Sequence, residues 1–285
     1  MDPHLAGRTA RSLEPLHALG YFAPEVEAEV TGLGVRRGMG SYFASRSAPM
    51  GRVGGGVVAA TFFVFNPSLV AHFIPAAWEA SAPEEVVAAR YRGVSAAWQR
   101  LLGEQTLASA EVAEAADLAR SAAEACPVAG RPLCAAHADL AWPEPPHLIL
   151  FHALSLLREH RGDGHVAALI GAGLSGIEAL ITHTATGRGF TRAAAQATRG
   201  WSDDEWAAAL AALRGRGLMT AEEELTPEGR AVREAVEHRT DEYGIAPWEA
   251  LGEAGAQHLA ELCRPLVAAV QANGAFPDGV FARGR

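Results

Sequence analysis

Five of the eleven histidines lie between Pro146 and Gly187: His147, His152, His160, His165 and His183. His152 and His160 stand eight residues apart with Leu156 between them, so on a helix all three share one face. The run Arg158–His165, REHRGDGH, adds two arginines and two carboxylates beside these rings. Its Arg161–Gly162 step reads as a helix end, with Asp163 capping the next helix. On that reading His160 and His165 face one cavity across Asp163. Imidazole and carboxylate together suit general acid–base work near neutral pH, which makes His160, His165 and Asp163 the candidate catalytic set. The competing reading is structural: Asp163 caps a helix, Arg158 and Glu159 pair at the surface, and His165 packs. Imidazole also ligates metals, but this segment has neither HxxxH nor HExxH spacing, so no metal ligand is assigned.

Other residues complete a candidate ligand site. His17 and Tyr21 lie one helical turn apart. Arg46 lies near a nearly uninterrupted apolar run, Val57–Phe65, and arginine's planar fork suits carboxylate or phosphate. His17, Tyr21, Arg46, His152 and Arg158, walled by Phe62, Phe63 and Phe65, fit a partly aromatic, anionic small molecule. The sequence names no cofactor.

The elements that must position these groups are helical. Pro24 and Pro83 suit first helical turns, and acidic residues follow Pro83. Asn66 and Ser202 suit N-caps. Residues 83–125 read as ordinary bundle helices, and five prolines between Pro127 and Pro146 mark a boundary. The expected organisation is a helical N-terminal domain over 1–126, a connector over 127–146, and a C-terminal domain over 147–285.

Composition narrows the function classes. The chain has 285 residues, is 49% hydrophobic and carries a net charge of −9, with arginine as its only basic side chain besides histidine. An acidic balance argues against a broad nucleic-acid footprint. No apolar run approaches the roughly 18 residues of a membrane span, and the first residues lack a signal-peptide core. Cys126, Cys134 and Cys263 are an odd set, expected to be free thiols in a reducing cytoplasm. Cys126 and Cys134 flank a Pro/Gly turn and could meet.

Arg216–Gly217–Leu218 and Leu225–Thr226–Pro227–Glu228–Gly229 resemble the end of the recognition helix and the wing of MarR-like winged helix-turn-helix proteins. Tyr21–Glu25, the REHRGDGH run and Thr240–Asp241 make nearly the whole chain resemble an actinobacterial helix-turn-helix family. The likeness implies a mainly α fold with a winged helix-turn-helix, a short β-hairpin wing and a homodimer. Charge qualifies what it implies about DNA. From Thr191 to Arg230, five arginines face seven carboxylates, and Asp203, Asp204 and Glu205 open the helix that would read bases. Phosphate neutralisation carries most duplex affinity, so DNA binding is disfavoured. Three functions remain: a ligand-responsive transcriptional regulator, an enzyme on a scaffold that no longer binds DNA, and a ligand-sequestering or resistance protein.

Overall fold

The computed structural model describes residues 1–281. Its helices, in chain order, begin with α1 (Pro3–Ala18), α2 (Pro24–Gly32), α3 (Met39–Ser47), α4 (Gly55–Phe62), α5 (Pro67–Phe73) and α6 (Ala76–Ala80). Next come α7 (Pro83–Leu102), α8 (Glu104–Leu107), α9 (Ala110–Glu124), α10 (Pro132–Ala138) and α11 (Pro146–Gly171). The last are α12 (Gly176–Thr184), α13 (Arg192–Arg199), α14 (Asp203–Gly215), α15 (Pro227–Tyr243) and α16 (Ala246–Ala272).

Local chemistry sets the starts. Asn66 Oδ1 accepts from Ser68 N and caps α5, while Thr191 caps α13 and Thr226 caps α15. Ser175 with Glu178, and Ser202 with Glu205, form reciprocal capping boxes that satisfy orphan amides at the starts of α12 and α14.

Two apolar cores organise these helices. The first joins α1–α3, α7, α9, the Leu150–Leu157 part of α11, and α16. The second joins Ala168 and Leu169 at the end of α11 with α12–α15, around Trp206 and Leu213. Phe63 and Val64, between α4 and α5, pack into this second core, whereas Phe62 and Phe65 belong to the first. Among the described residues no single helix is long and apolar enough to cross a membrane.

Two sequence expectations are corrected. The β-hairpin wing does not form: among the described residues there is no β-strand, and Met219 and Leu225 make one isolated bridge. Only Arg216 and Gly217 separate the end of α14 from Leu218, and Thr226 already caps α15, so the arms have no length for a ladder. The fold is mainly α, without a winged element. Nor does a turn form at Arg161–Gly162, because α11 runs unbroken through it. Gly164 serves packing instead. A Cβ there would lie 2.7 Å from Arg131 Nη1 and 3.0 Å from Tyr243 Cβ.

Candidate functional site

The buried polar centre is Glu159, a residue the sequence reading left at the surface. It is 1% exposed. Arg46 donates to it from α3, with Nη2 3.2 Å from Oε2 and Nε 3.4 Å from Oε1. Arg158 Nη1 lies 2.6 Å from Oε2, and Tyr21 Oη donates to Oε1 at 3.4 Å. Tyr21 is held in turn by His17 Nε2 at 2.7 Å, whose Nδ1 meets Ser155 Oγ at 3.1 Å. Tyr42 Oη accepts from Arg46 Nη1 at 3.1 Å. The signal for Glu159 was its spacing: Phe151, Ser155 and Glu159 repeat every four residues, on the face that meets α1 and α3.

Charge in this cluster is self-consistent. Burial opposes ionisation of Glu159, but Arg158 and Arg46 overcome it and hold the carboxyl well below its ordinary range. Burial likewise opposes the charge on Arg46, and Glu159 more than offsets it, raising the guanidinium. Desolvation lowers His17 well below the usual imidazole value, with Arg90 adding to the effect. His17 is therefore a neutral hydrogen-bonding ring that orients Tyr21.

In front of this cluster lies a cleft of about 650 Å³ between the first core and α13. Tyr21, Tyr42, Phe65 and Phe190 give it aromatic walls, and Arg158 and Arg199 give it two guanidiniums; Glu14 and Glu27 also line it, paired with Arg158 and Arg37 respectively. Arg199, at the end of α13, stacks on Phe190 at 4.4 Å and Phe65 at 4.8 Å. Its Nη1 donates to Thr198 Oγ1, but its Nε is buried without a partner. Among the described residues no carboxylate pairs with it. Desolvation disfavours its charge, and Arg46 and Arg158 add repulsion. A groove of about 700 Å³ between α9 and α16 is comparable in size. It is open to solvent and lacks a guanidinium pair, so the aromatic cleft is the stronger candidate.

The sequence-derived residues divide. His17, Tyr21, Arg46 and Arg158 meet around Glu159, and Tyr21 and Arg158 reach the cleft. His152 sits apart, with Nδ1 2.8 Å from Tyr91 Oη and its ring against Trp142. Burial lowers its pKa to about 3. On continuous α11, five residues turn His165 about 140° from His160, so the two face different neighbours. His160 is fully buried with both ring nitrogens unpaired, and burial lowers it to about 3. Asp163 Oδ2 accepts from Leu133 N and Cys134 N and so caps α10, while burial raises it to about 6. His165 Nδ1 meets Thr240 Oγ1 on α15 at 2.8 Å, and burial lowers it to about 4. Among the described residues no group of three His, Cys, Asp or Glu side chains could hold a metal. All three cysteines are free thiols.

The cleft's far wall is a helix–turn–helix. α13 ends at Gly200, whose φ of 73° makes the left-handed turn, and Ser202 starts α14. This turn is docked on the helical body. Asn66 N donates to Arg199 O at 2.9 Å, and Trp201 Nε1 donates to Val64 O at 2.9 Å. A Cβ on Gly200 would stand 2.9 Å from Leu69. Around α14 the arginines are engaged: Arg192 with Glu223, Arg214 with the carbonyls of Thr220 and Ala221, Arg216 with Glu178, and Arg230 with Leu225 O. The exposed face of α14 presents Asp203, Asp204 and Glu205, then alanines, with Arg214 in its last turn.

No curated protein and no solved structure matches the chain. A family profile does, over residues 6–277, nearly the whole length. With that match and the α13–turn–α14 unit in place, the chain belongs to a helix-turn-helix family.

Proposed function

We propose that this protein binds a small aromatic anion in the cleft between its helical body and its helix-turn-helix, with the motif serving as a wall of the site. The observation that carries this reading is Arg199: among the described residues it is a cation with no carboxylate partner and a buried, unpaired Nε, flanked by aromatic rings and lining the cleft shared with Arg158. An unmet buried donor is costly, and a planar carboxylate supplies the acceptor that guanidinium geometry favours. The volume falls in the usual range for small-molecule sites. Isothermal titration with 2-naphthoate and its neutral analogue 2-naphthylmethanol tests the reading. Saturable binding of the acid, much weaker binding of the alcohol, and loss of acid binding in Arg199→Met are expected. Absence of saturable binding, or equal binding of both compounds, overturns it.

Ligand-responsive transcriptional regulation is the second reading, favoured by the helix-turn-helix itself. The acidic start of α14 and the engaged arginines oppose direct base reading by the docked motif. Filter binding with random-sequence duplex at physiological salt is expected to show no retention, and salt-dependent retention would favour the regulator. The enzymatic reading through His160, Asp163 and His165 has less support, since Asp163 caps α10 and the His160 ring has no hydrogen-bond partner among the described residues to exchange a proton with.

A further inference from the structure

Phe63, between α4 and α5, has an unusual backbone conformation. Its φ is 41° and its ψ is −52°, and Val64 N donates across it to Phe62 O at 2.5 Å. This is a γ-turn of the strained hand, adopted here by a bulky aromatic residue. Such strain persists only when the surroundings over-determine it. The start of α12, the second core and the helix-turn-helix supply those surroundings. Phe63 packs into the second core, and its carbonyl oxygen sits so close to Gly176 that a Cβ there would be 2.0 Å away. Three residues on, Asn66 N donates to Arg199 O, and the adjacent Val64 O accepts from the Trp201 indole. Phe65 of the strained segment lines the cleft, and Arg199 ties the two together from the other side. Its carbonyl belongs to the docking interface and its guanidinium to the site.

Electrostatics make Arg199 a switch. With the unit docked, Arg199 lies near Arg46 and Arg158; Glu159 pairs with those two and Glu14 with Arg158, and neither carboxylate pairs with Arg199. Docking thus gathers like charge in a low-dielectric cleft. A bound anion removes that penalty in the docked arrangement and has no equivalent effect once Arg199 has moved out to water. A ligand shifts an equilibrium toward the state it binds better. We infer that an anion at Arg199 latches the helix-turn-helix onto the helical body through the strained Phe63–Asn66 segment, and that the unit loosens there when no anion is bound. This rests on the cleft being an anion site, as proposed above.

The test reads the latch itself. The Asn66 amide and the Trp201 indole N–H are protected only by docking bonds, so their hydrogen exchange, followed by ¹⁵N NMR on the full chain, reports loosening. Saturating 2-naphthoate is expected to slow both by at least about fivefold, the low end of a typical coupling between sites. The amides of α9 serve as an internal reference, and 2-naphthylmethanol should have no effect. Arg199→Met, which keeps a long apolar side chain but removes the charge, is expected to slow the same two sites without any ligand and to abolish the response to naphthoate. Binding of naphthoate by calorimetry with unchanged exchange overturns the latch and leaves the anion site standing. Failure to bind overturns both. Unchanged or faster exchange in Arg199→Met overturns the latch whatever naphthoate does.

Discussion

Asn66 Nδ2 donates to Glu205 Oε1 at 3.0 Å, while Glu205 Oε2 accepts from the backbone and hydroxyl of Ser202. One carboxylate thus starts α14 and ties it to the body. Asn66 is equally two-sided, since its Oδ1 caps α5.

Asn66→Ala removes both functions. A lost N-cap costs about 1 kcal/mol, and the tie to Glu205 is lost with it. The variant should show a lower urea midpoint and faster protease cleavage near Gly200, with α9 unaffected. Asn66→Asp, which keeps the cap but faces Glu205 with like charge, should cleave as fast while losing less stability. Cleavage at the wild-type rate in both would remove the docking role assigned to this pair.

Glu159→Gln leaves the nearly buried Arg46 without its counter-charge. Breaking a buried pair on one side costs roughly 3–5 kcal/mol, so the thermal midpoint should fall by many degrees. The pH dependence has a definite sign. Because the folded carboxyl is held well below its ordinary value, its stabilisation is full above about pH 4.3, the unfolded value. It is lost as pH falls from there toward the depressed folded one. Denaturant titrations between pH 6 and pH 3 should show that loss in the wild type and a shallower one in Glu159→Gln.

His160 makes a contrasting prediction. Its folded pKa of about 3 lies below the ordinary 6.5, so across that interval the unfolded chain binds a proton that the folded chain refuses. Stability is therefore present above about pH 6.5 and falls with acidification, by up to about 1.4 kcal/mol per pH unit from this group alone. His17, His137 and His152 act in the same direction. His160→Leu replaces a ring with two unpaired nitrogens, so it should be near neutral in stability at pH 7.5 and less acid-sensitive below pH 6. A large loss of stability at pH 7.5 would show that the ring has polar partners.

Much of the helix pattern was legible because capping chemistry is local: Asn66, Ser202 and Pro83 act where the sequence places them. His17, Tyr21, Arg46 and Arg158 were legible because arginine and histidine beside apolar runs need partners. What escaped is non-local. The Arg161–Gly164 run has the composition of a turn, yet Gly164 is small so that Arg131 can cross α11 and bond the carbonyls of His160 and Tyr243. Glu159 looked like half of a surface pair because its other arginine lies 113 residues away. Arg199 registered only as one charge in a segment total, and its isolation from carboxylates depends on tertiary packing.

Gly93 offers a packing test. A Cβ there would lie 2.5 Å from Val26 Cα and 2.7 Å from Val26 N, both backbone atoms on α2. Alanine normally gains up to about 1 kcal/mol over glycine inside a helix. Here α2 and α7 would have to separate, at roughly 1–3 kcal/mol or more. Gly93→Ala should therefore lower the melting temperature, and Gly56→Ala, which meets nothing within 4 Å, should not. A rise in Gly93→Ala would mean that the crossing is looser than described.

The uninterrupted course of α11 fixes the phase between the two cores. It gives Leu150–Leu157 to one and Ala168–Leu169 to the other. A single inserted or deleted residue between them would rotate one relative to the other by about 100° and shift it by about 1.5 Å. That would carry Arg199 out of register with Asn66 and Val64. Seven residues, close to two full turns, would restore the angle while moving the cores about 10 Å along the axis. The length of α11 between the cores is therefore as constrained as its buried residues Glu159, Asp163 and Gly164.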